Sequence, residues 1–226
     1  AQIEPYMKEC ALWKIKLLLP DYSAASDDNP ADMTAVPENP DFGDYNGTNT
    51  AAGWDGAAGN FGNEEIHKAV LAYEYWQKTF DMSQTVIGGL PNGTYRIEVD
   101  GFSRIGSTEE DYNAYIANPD TLPASRALIY AWSTTDSLNT YREAPMKLIA
   151  AGLVTENLSD GSATFEMGGT TYYVPGDMVS SKAWMEAGLY KNVLYVDVTD
   201  GTLCLGMKKA EAPTSSWVVM DSWKLF

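Results

Sequence analysis

Alternation of apolar and polar side chains is the clearest signal along this chain. Over 94–104, Tyr95, Ile97 and Val99 alternate with Arg96, Glu98 and Asp100, which predicts a strand with one buried and one polar face. Over 192–199, Val193, Tyr195 and Asp197 alternate in the same way with Leu194, Val196 and Val198. The run Leu90-Pro91-Asn92-Gly93-Thr94 has strong turn chemistry, because Pro presets φ and Asn-Gly tolerates positive φ. It separates the first strand from an earlier one over 83–87. The turn Thr199-Asp200-Gly201 leads into a strand over 202–208, and 126–132 and 217–226 read as strands too. If Tyr73-Glu74-Tyr75-Trp76 is extended, Tyr73 and Tyr75 share one face while Glu74 and Trp76 share the other.

Other stretches are less regular. Over 11–19, Trp13, Ile15, Leu17 and Leu19 alternate against Lys14 and Lys16, which predicts a half-buried strand, with a short helix as the alternative. Residues 21–62 are rich in Asn, Asp, Gly, Pro and Ala and show little periodicity. Residues 144–152 read as a short helix ended by Gly152. Short strands joined by turns, with little helix, predict an all-β sandwich. No internal repeat or clean boundary interrupts 30–226. The expected division is an N-terminal strand or linker segment over 1–30 and a single β-sandwich module over 31–226.

Composition narrows the function. The 226 residues are 45% hydrophobic and 12% aromatic, enough for a sizeable core. Fifteen Lys and Arg against 31 Asp and Glu give a net charge of −16, which argues against nucleic acid and anionic lipid as partners. The longest apolar stretch, 11–19, is broken by Lys14 and Lys16 and falls short of the ~20 residues of a membrane span, so no membrane insertion is expected. Cys10 and Cys204 read as two buried thiols, with a disulfide as the alternative, and His67, the only histidine, stands in no zinc or nucleophile motif and reads as a surface or half-buried residue. The carboxylates are many, but none sits in a recognisable acid/base motif, and no phosphate-binding glycine pattern is present. No enzyme activity is expected.

Several blocks carry a resemblance. They are Phe80-Asp81-Met82-Ser83-Gln84-Thr85, Gly89-Leu90-Pro91-Asn92-Gly93-Thr94-Tyr95-Arg96, Tyr173-Val174-Pro175-Gly176-Asp177-Met178, Val198-Thr199-Asp200-Gly201-Thr202-Leu203 and the closing Asp221-Ser222-Trp223-Lys224-Leu225. The series resembles the galactose-binding-like jelly-roll modules of secreted and cell-surface proteins of Bacteroidetes-type bacteria. The resemblance covers roughly 32–226. It implies a jelly-roll β-sandwich with a long loop and helix insertion, and a carbohydrate-binding role within a larger secreted or surface protein. It also implies a structural calcium held by a carboxylate near Asp44 and one at Asp221. Here the opening Asn39-Pro40-Asp41-Phe42 is followed by Gly43 and Asp44, where the family has Glu, and Ser222-Trp223 stands where it has Asn-Phe.

Sugar recognition needs flat apolar faces for the C–H side of a pyranose and polar groups for its hydroxyls. The candidate ligand-binding residues are Trp54 and Asp55 in the Gly-rich loop, Glu74 and Trp76, Arg104 at a strand end, and Tyr172 beside a predicted rim. Each has a competing reading as packing or, for Arg104, as a surface ion pair. Trp217 and Trp223 read as core. The leading expectation is a non-catalytic module binding a polysaccharide or oligosaccharide, covalently linked to catalytic or surface domains and located outside the cell or on its surface. The alternative is a structural or adhesive cell-surface module that binds a protein partner.

Overall fold

Strands over 73–225 pair into two four-stranded antiparallel sheets, seen here in a computed structural model that describes residues 4–43, 46–86, 88–120 and 122–226. The strands of the first sheet are β1 (Tyr73–Trp76), β3 (Gly93–Arg104), β8 (Lys191–Val198) and β10 (Trp217–Leu225), in the order β1-β10-β3-β8. The second holds β2 (Phe80–Val86), β4 (Leu128–Trp132), β5 (Arg142–Pro145) and β9 (Leu203–Lys209), in the order β2-β9-β4-β5. The antiparallel pairs β1·β10, β2·β9, β3·β8 and β4·β5 are nested, as if one long hairpin had been rolled up. The pairs β10·β3 and β9·β4 complete the two sheets. That is jelly-roll topology. A separate hairpin, β6 (Ala163–Met167) and β7 (Thr170–Val174), lies in the insertion between β5 and β8.

The predicted alternation holds in the first sheet. β3 buries Tyr95, Ile97 and Val99, and β8 buries Asn192, Leu194, Val196 and Val198 on its inner face. In β10 a bulge between Asp221 and Lys224 resets the alternation, with Ser222 at φ 53°. Val218 and Met220 face the core before it, and Trp223 and Leu225 after it.

Two cores result. The main one lies between the sheets, while the second covers the outer face of the first sheet. There Phe102, Trp217 and Val219 meet Ile149, Val174, Met178, Trp184 and Tyr190 of the 146–190 insertion. Hydrogen bonds anchor the insertion: Trp184 Nε1 donates to Gly152 O at 2.9 Å and Tyr190 OH to Ile149 O at 2.7 Å. Asn192 is the junction, its amide donating to Gly101 O at 2.8 Å while its oxygen accepts from Lys147 N at 2.7 Å. Among the described residues the helices are α1 (Glu4–Leu18), α2 (Glu65–Lys68), α3 (Thr108–Ala117), α4 (Ser137–Thr140) and α5 (Met178–Glu186). Among the described residues, none is long and apolar enough to cross a membrane.

Three local expectations are corrected. Residues 11–18 belong to α1, with Leu19 just past its end, so the helical alternative holds rather than the strand. Ile15 enters the main core with Leu18 and Leu19 beside it, a helical i, i+3, i+4 spacing that a nine-residue window of alternating lysines conceals. The helix expected over 144–152 is replaced by the end of β5 and a 3₁₀ turn at Ile149–Gly152. Cys10 is exposed on α1, and only Cys204 is a buried thiol.

Lys209, at the end of β9, is buried at 2% exposure, and its ammonium donates to Ser216 Oγ at 3.1 Å. Burial pushes its pKa down to about 8. A folded-state pKa below the unfolded one means that this site is most favourable above the unfolded pKa and loses stability as pH falls through about 8. Lys209→Met is therefore expected to raise stability at neutral pH by about 1–3 kcal/mol. The gain should shrink as pH rises towards 10, measured as urea midpoints of both proteins across that range. A gain independent of pH would show that packing, not charge burial, is responsible.

Candidate functional site

One row of side chains organises the outer face of the first sheet. The pairing registers set Trp76 on β1 opposite Trp217 on β10, and Trp217 opposite Arg104 on β3. The Arg104 guanidinium lies 5.1 Å from the Trp76 ring centroid and 5.4 Å from that of Trp217. Its Nε donates to Ser215 O at 2.8 Å, and burial holds its pKa below the ordinary arginine value. The two indoles meet edge to face, 6.2 Å between centroids. Trp217 is buried, whereas Trp76, at the sheet edge, remains 44% exposed.

Glu74 lies two residues before Trp76 on the same face, as alternation predicts. Its Oε2 accepts from Trp217 Nε1 at 2.6 Å. Burial raises the Glu74 pKa, and the indole N–H opposes that rise. Beside these residues the N-terminus of α5 approaches the sheet. Asp177 caps α5 by accepting from Ser180 N at 2.7 Å. Its other oxygen lies 3.6 Å from His67 Nε2 on α2.

These elements enclose an open cleft of about 380 Å³. Trp76 and Glu74 line it from the sheet, joined by Asn60, Asn63, Lys78 and the adjacent His67 and Asp177. Asn60 is placed by a backbone bridge to Glu74, with N···O distances of 3.0 and 2.8 Å. The site therefore combines one exposed indole with amide, carboxylate, imidazole and ammonium groups.

The candidate residues are distributed unevenly. Glu74 and Trp76 line the cleft, and Arg104 backs the Trp76 ring with its guanidinium engaged by two indoles and a carbonyl. Trp54, expected in an exposed loop position, is buried at 5%. It packs 4.9 Å from Trp223 and 5.6 Å from Phe42, and its Nε1 donates to Asn39 O. That correction follows from the β10 bulge, which turns Trp223 inward and opens the socket that Trp54 fills. Asp55 is exposed, its backbone bridged to Ser83 at the edge of β2. Tyr172 is half-buried on β7 opposite Phe165 and does not line the cleft. Asn60, Asn63, His67 and Asp177 are cleft residues that sequence reasoning missed. The only sequence trace is Asp177 ahead of Met178-Val179-Ser180, a helix-capping pattern.

The implied calcium pair fares differently. Asp44 lies outside the described residues. The Asp221 carboxylate is buried against the Lys182 ammonium, and its Oδ1 accepts from Ser222 N at 2.7 Å. Burial raises its pKa, and Lys182 opposes the rise. A carboxylate already neutralised by an ammonium does not fit a calcium ligand. Among the described residues no group of three or more His, Cys, Asp or Glu is placed to hold a metal ion.

A second concavity, about 700 Å³, lies between the 22–33 segment and the β3–β8 face. Tyr22 and Tyr195 are exposed along it, and Arg96 stacks 4.6 Å from the Phe226 ring centroid.

No protein-family model matches the chain, and no curated protein matches it. Among solved structures it is similar to a carbohydrate-binding module, TmCBM61 in complex with beta-1,4-galactotriose. The two share 13% identity, 69% of each chain is covered, and the TM-score is 0.33. The site is therefore read from this chain's own residues.

Glu74 serves the fold as well as the cleft, and the two roles separate by substitution. Glu74→Ala strands the buried Trp217 N–H and is expected to cost about 1–3 kcal/mol. Glu74→Gln keeps an acceptor and is expected to cost less than about 1 kcal/mol. Guanidinium unfolding of both variants checks this; equal losses would show that the hydrogen bond contributes nothing.

Proposed function

We propose that this chain is a non-catalytic carbohydrate-binding module that takes a saccharide into the Trp76 cleft. The observation that carries this reading is the half-exposed Trp76 indole, backed by Arg104 and rimmed by Asn60, Asn63, Glu74 and Asp177. The C–H face of a pyranose stacks on the indole, and the amides and carboxylates exchange hydrogen bonds with its hydroxyls. The cleft volume lies within the range of small-molecule sites. Both carboxylates have structural partners, Glu74 with Trp217 and Asp177 with Ser180, which supports binding rather than acid/base work. In this reading the module is exported, and covalent linkage to a catalytic or surface domain compensates for weak single-site affinity.

One observation favours the adhesive alternative. α1 exposes Tyr6, Trp13 and Leu17, whose spacing of seven and four residues places them on one side of the helix. A protein partner fits that stripe better than a sugar does.

Native affinity electrophoresis against xylans, mannans, glucans, pectins and host glycans tests the main reading. Retardation by one polysaccharide, lost in a folded Trp76→Ala variant, is the expected result. Trp54→Ala is expected instead to lose about 3–5 kcal/mol of stability through a core cavity. Retardation that survives Trp76→Ala would move the site elsewhere, and uniform mobility of the folded wild type would favour the adhesive reading.

A further inference from the structure

The outer face of the second sheet carries an aromatic group that neither core uses. On β4, Ile129 and Ala131 face the main core, so Leu128, Tyr130 and Trp132 face outward. On β9, Leu203, Leu205 and Met207 face inward and Cys204, Gly206 and Lys208 outward. Tyr130 lies across Gly206, its partner in register. A Cβ at Gly206 would come within 2.7 Å of the Tyr130 Cζ and Oη atoms, so only glycine leaves room for the ring. Having crossed β9, the Tyr130 hydroxyl donates to Asp81 on β2. The ring is thereby held along the sheet.

Two further rings join it in nearly parallel planes. Trp132 lies 5.3 Å from Tyr130 at 21°, and Tyr141 lies 6.3 Å from it at 23°. Trp132 and Tyr141 are 5.8 Å apart at 34°. Tyr130 is buried beneath its neighbours, whereas Trp132 and Tyr141 are only half-buried. A polar line borders them. Lys208 Nζ donates to Tyr141 OH at 2.7 Å and lies 3.0 Å from Glu143 Oε2, and Tyr141 OH donates to Glu143 at 2.6 Å. The Lys208 ammonium also sits 5.6 and 5.4 Å from the Tyr130 and Tyr141 ring centroids.

We propose that Trp132, Tyr141, Lys208 and Glu143 form a second glycan-binding platform, which makes the module bivalent. Near-parallel rings offer broad apolar area to the C–H faces of sugar rings. The adjacent ammonium and carboxylate already neutralise each other, with the neutral phenol hydrogen-bonded to both, so the group selects a neutral polyol that can donate and accept, not a charged partner. Trp76 faces outward from one sheet and this platform from the other, so one chain can hold two stretches of glycan at once. Bivalent engagement raises avidity on a polymer without new contacts at either site. The inference rests on the carbohydrate-binding reading but not on the Trp76 cleft.

The test is calorimetric titration of the intact chain with an oligosaccharide of whichever polysaccharide retards the wild type in the electrophoretic panel. Two sites per chain are expected for the wild type. One site should remain in Trp132→Ala and in Tyr141→Ala, one in Trp76→Ala, and none in the Trp76→Ala/Trp132→Ala double variant. Tyr141→Ala, beyond the end of the central strand β4, serves should Trp132→Ala not fold, as judged by circular dichroism. One wild-type site lost with Trp76→Ala and untouched by Tyr141→Ala would overturn the platform while leaving the proposed function standing. One site lost with Tyr141→Ala and untouched by Trp76→Ala would support the platform and overturn the cleft. A folded wild type that binds none of the panel would overturn both.

Discussion

Over Trp217–Met220, β10 is apolar on both faces, and most of what is distinctive in this molecule follows from that. Val218, Met220, Trp223 and Leu225 face the main core, and Trp217 and Val219 face away from it. A jelly-roll sheet with one wet face would leave those two side chains in water. The 146–190 insertion exists, in physical terms, to cover them, and α5 with Trp184 and Met178 does most of the covering. Where the covering stops, at the edge strand β1, Trp76 emerges half-exposed beside the α5 N-terminus. The cleft is the step between the edge of the sheet and the edge of its cover.

The same constraint explains the polar chemistry of the cleft. Trp217 brings an indole N–H under the cover, and a buried donor without an acceptor is costly. Glu74 supplies the acceptor, and Arg104 packs across both indoles. The charge of each is held in low dielectric, which raises the pKa of Glu74 and lowers that of Arg104. A glutamate and an arginine on one sheet face would ordinarily pair. Here the tryptophans stand between them and take up both.

The strands were legible wherever one face is buried and the other wet. β3 and β8 declare their faces in the sequence, and the two-residue period of Tyr73-Glu74-Tyr75-Trp76 assigns Glu74 and Trp76 to the outer face. Legibility fails where long-range packing sets the environment. Trp54 sits in a Gly-rich loop that looks exposed, and its burial depends on a bulge some 170 residues further on that turns Trp223 inward. The Asn60, His67 and Asp177 side chains come from three separate segments, and no local pattern announces that they converge. α1 was hidden for another reason. Two lysines among alternating apolar residues imitate a strand over nine positions, and only the fifteen-residue span shows the helical face that buries Ile15.

The aromatic face of the second sheet was concealed by the same kind of ambiguity. Leu128-Ile129-Tyr130-Ala131-Trp132 is apolar at every position, so its pattern reads as a strand buried on both sides. In β10 a comparable run is buried on both sides, because the insertion covers the outer face. In β4 the outward residues are covered chiefly by one another, Tyr130 beneath Trp132 and Tyr141, with Lys208 over the rings. The decisive residue is the smallest: Gly206 on the neighbouring strand lets Tyr130 lie across the sheet to reach Asp81. A larger residue there would lift the ring off the strand and disperse the group. The two sheets thus solve the same problem of an outward apolar row in opposite ways. One recruits a covering insertion and leaves a cleft at its edge, and the other lays its rings along the strand surface and leaves two of them half-exposed.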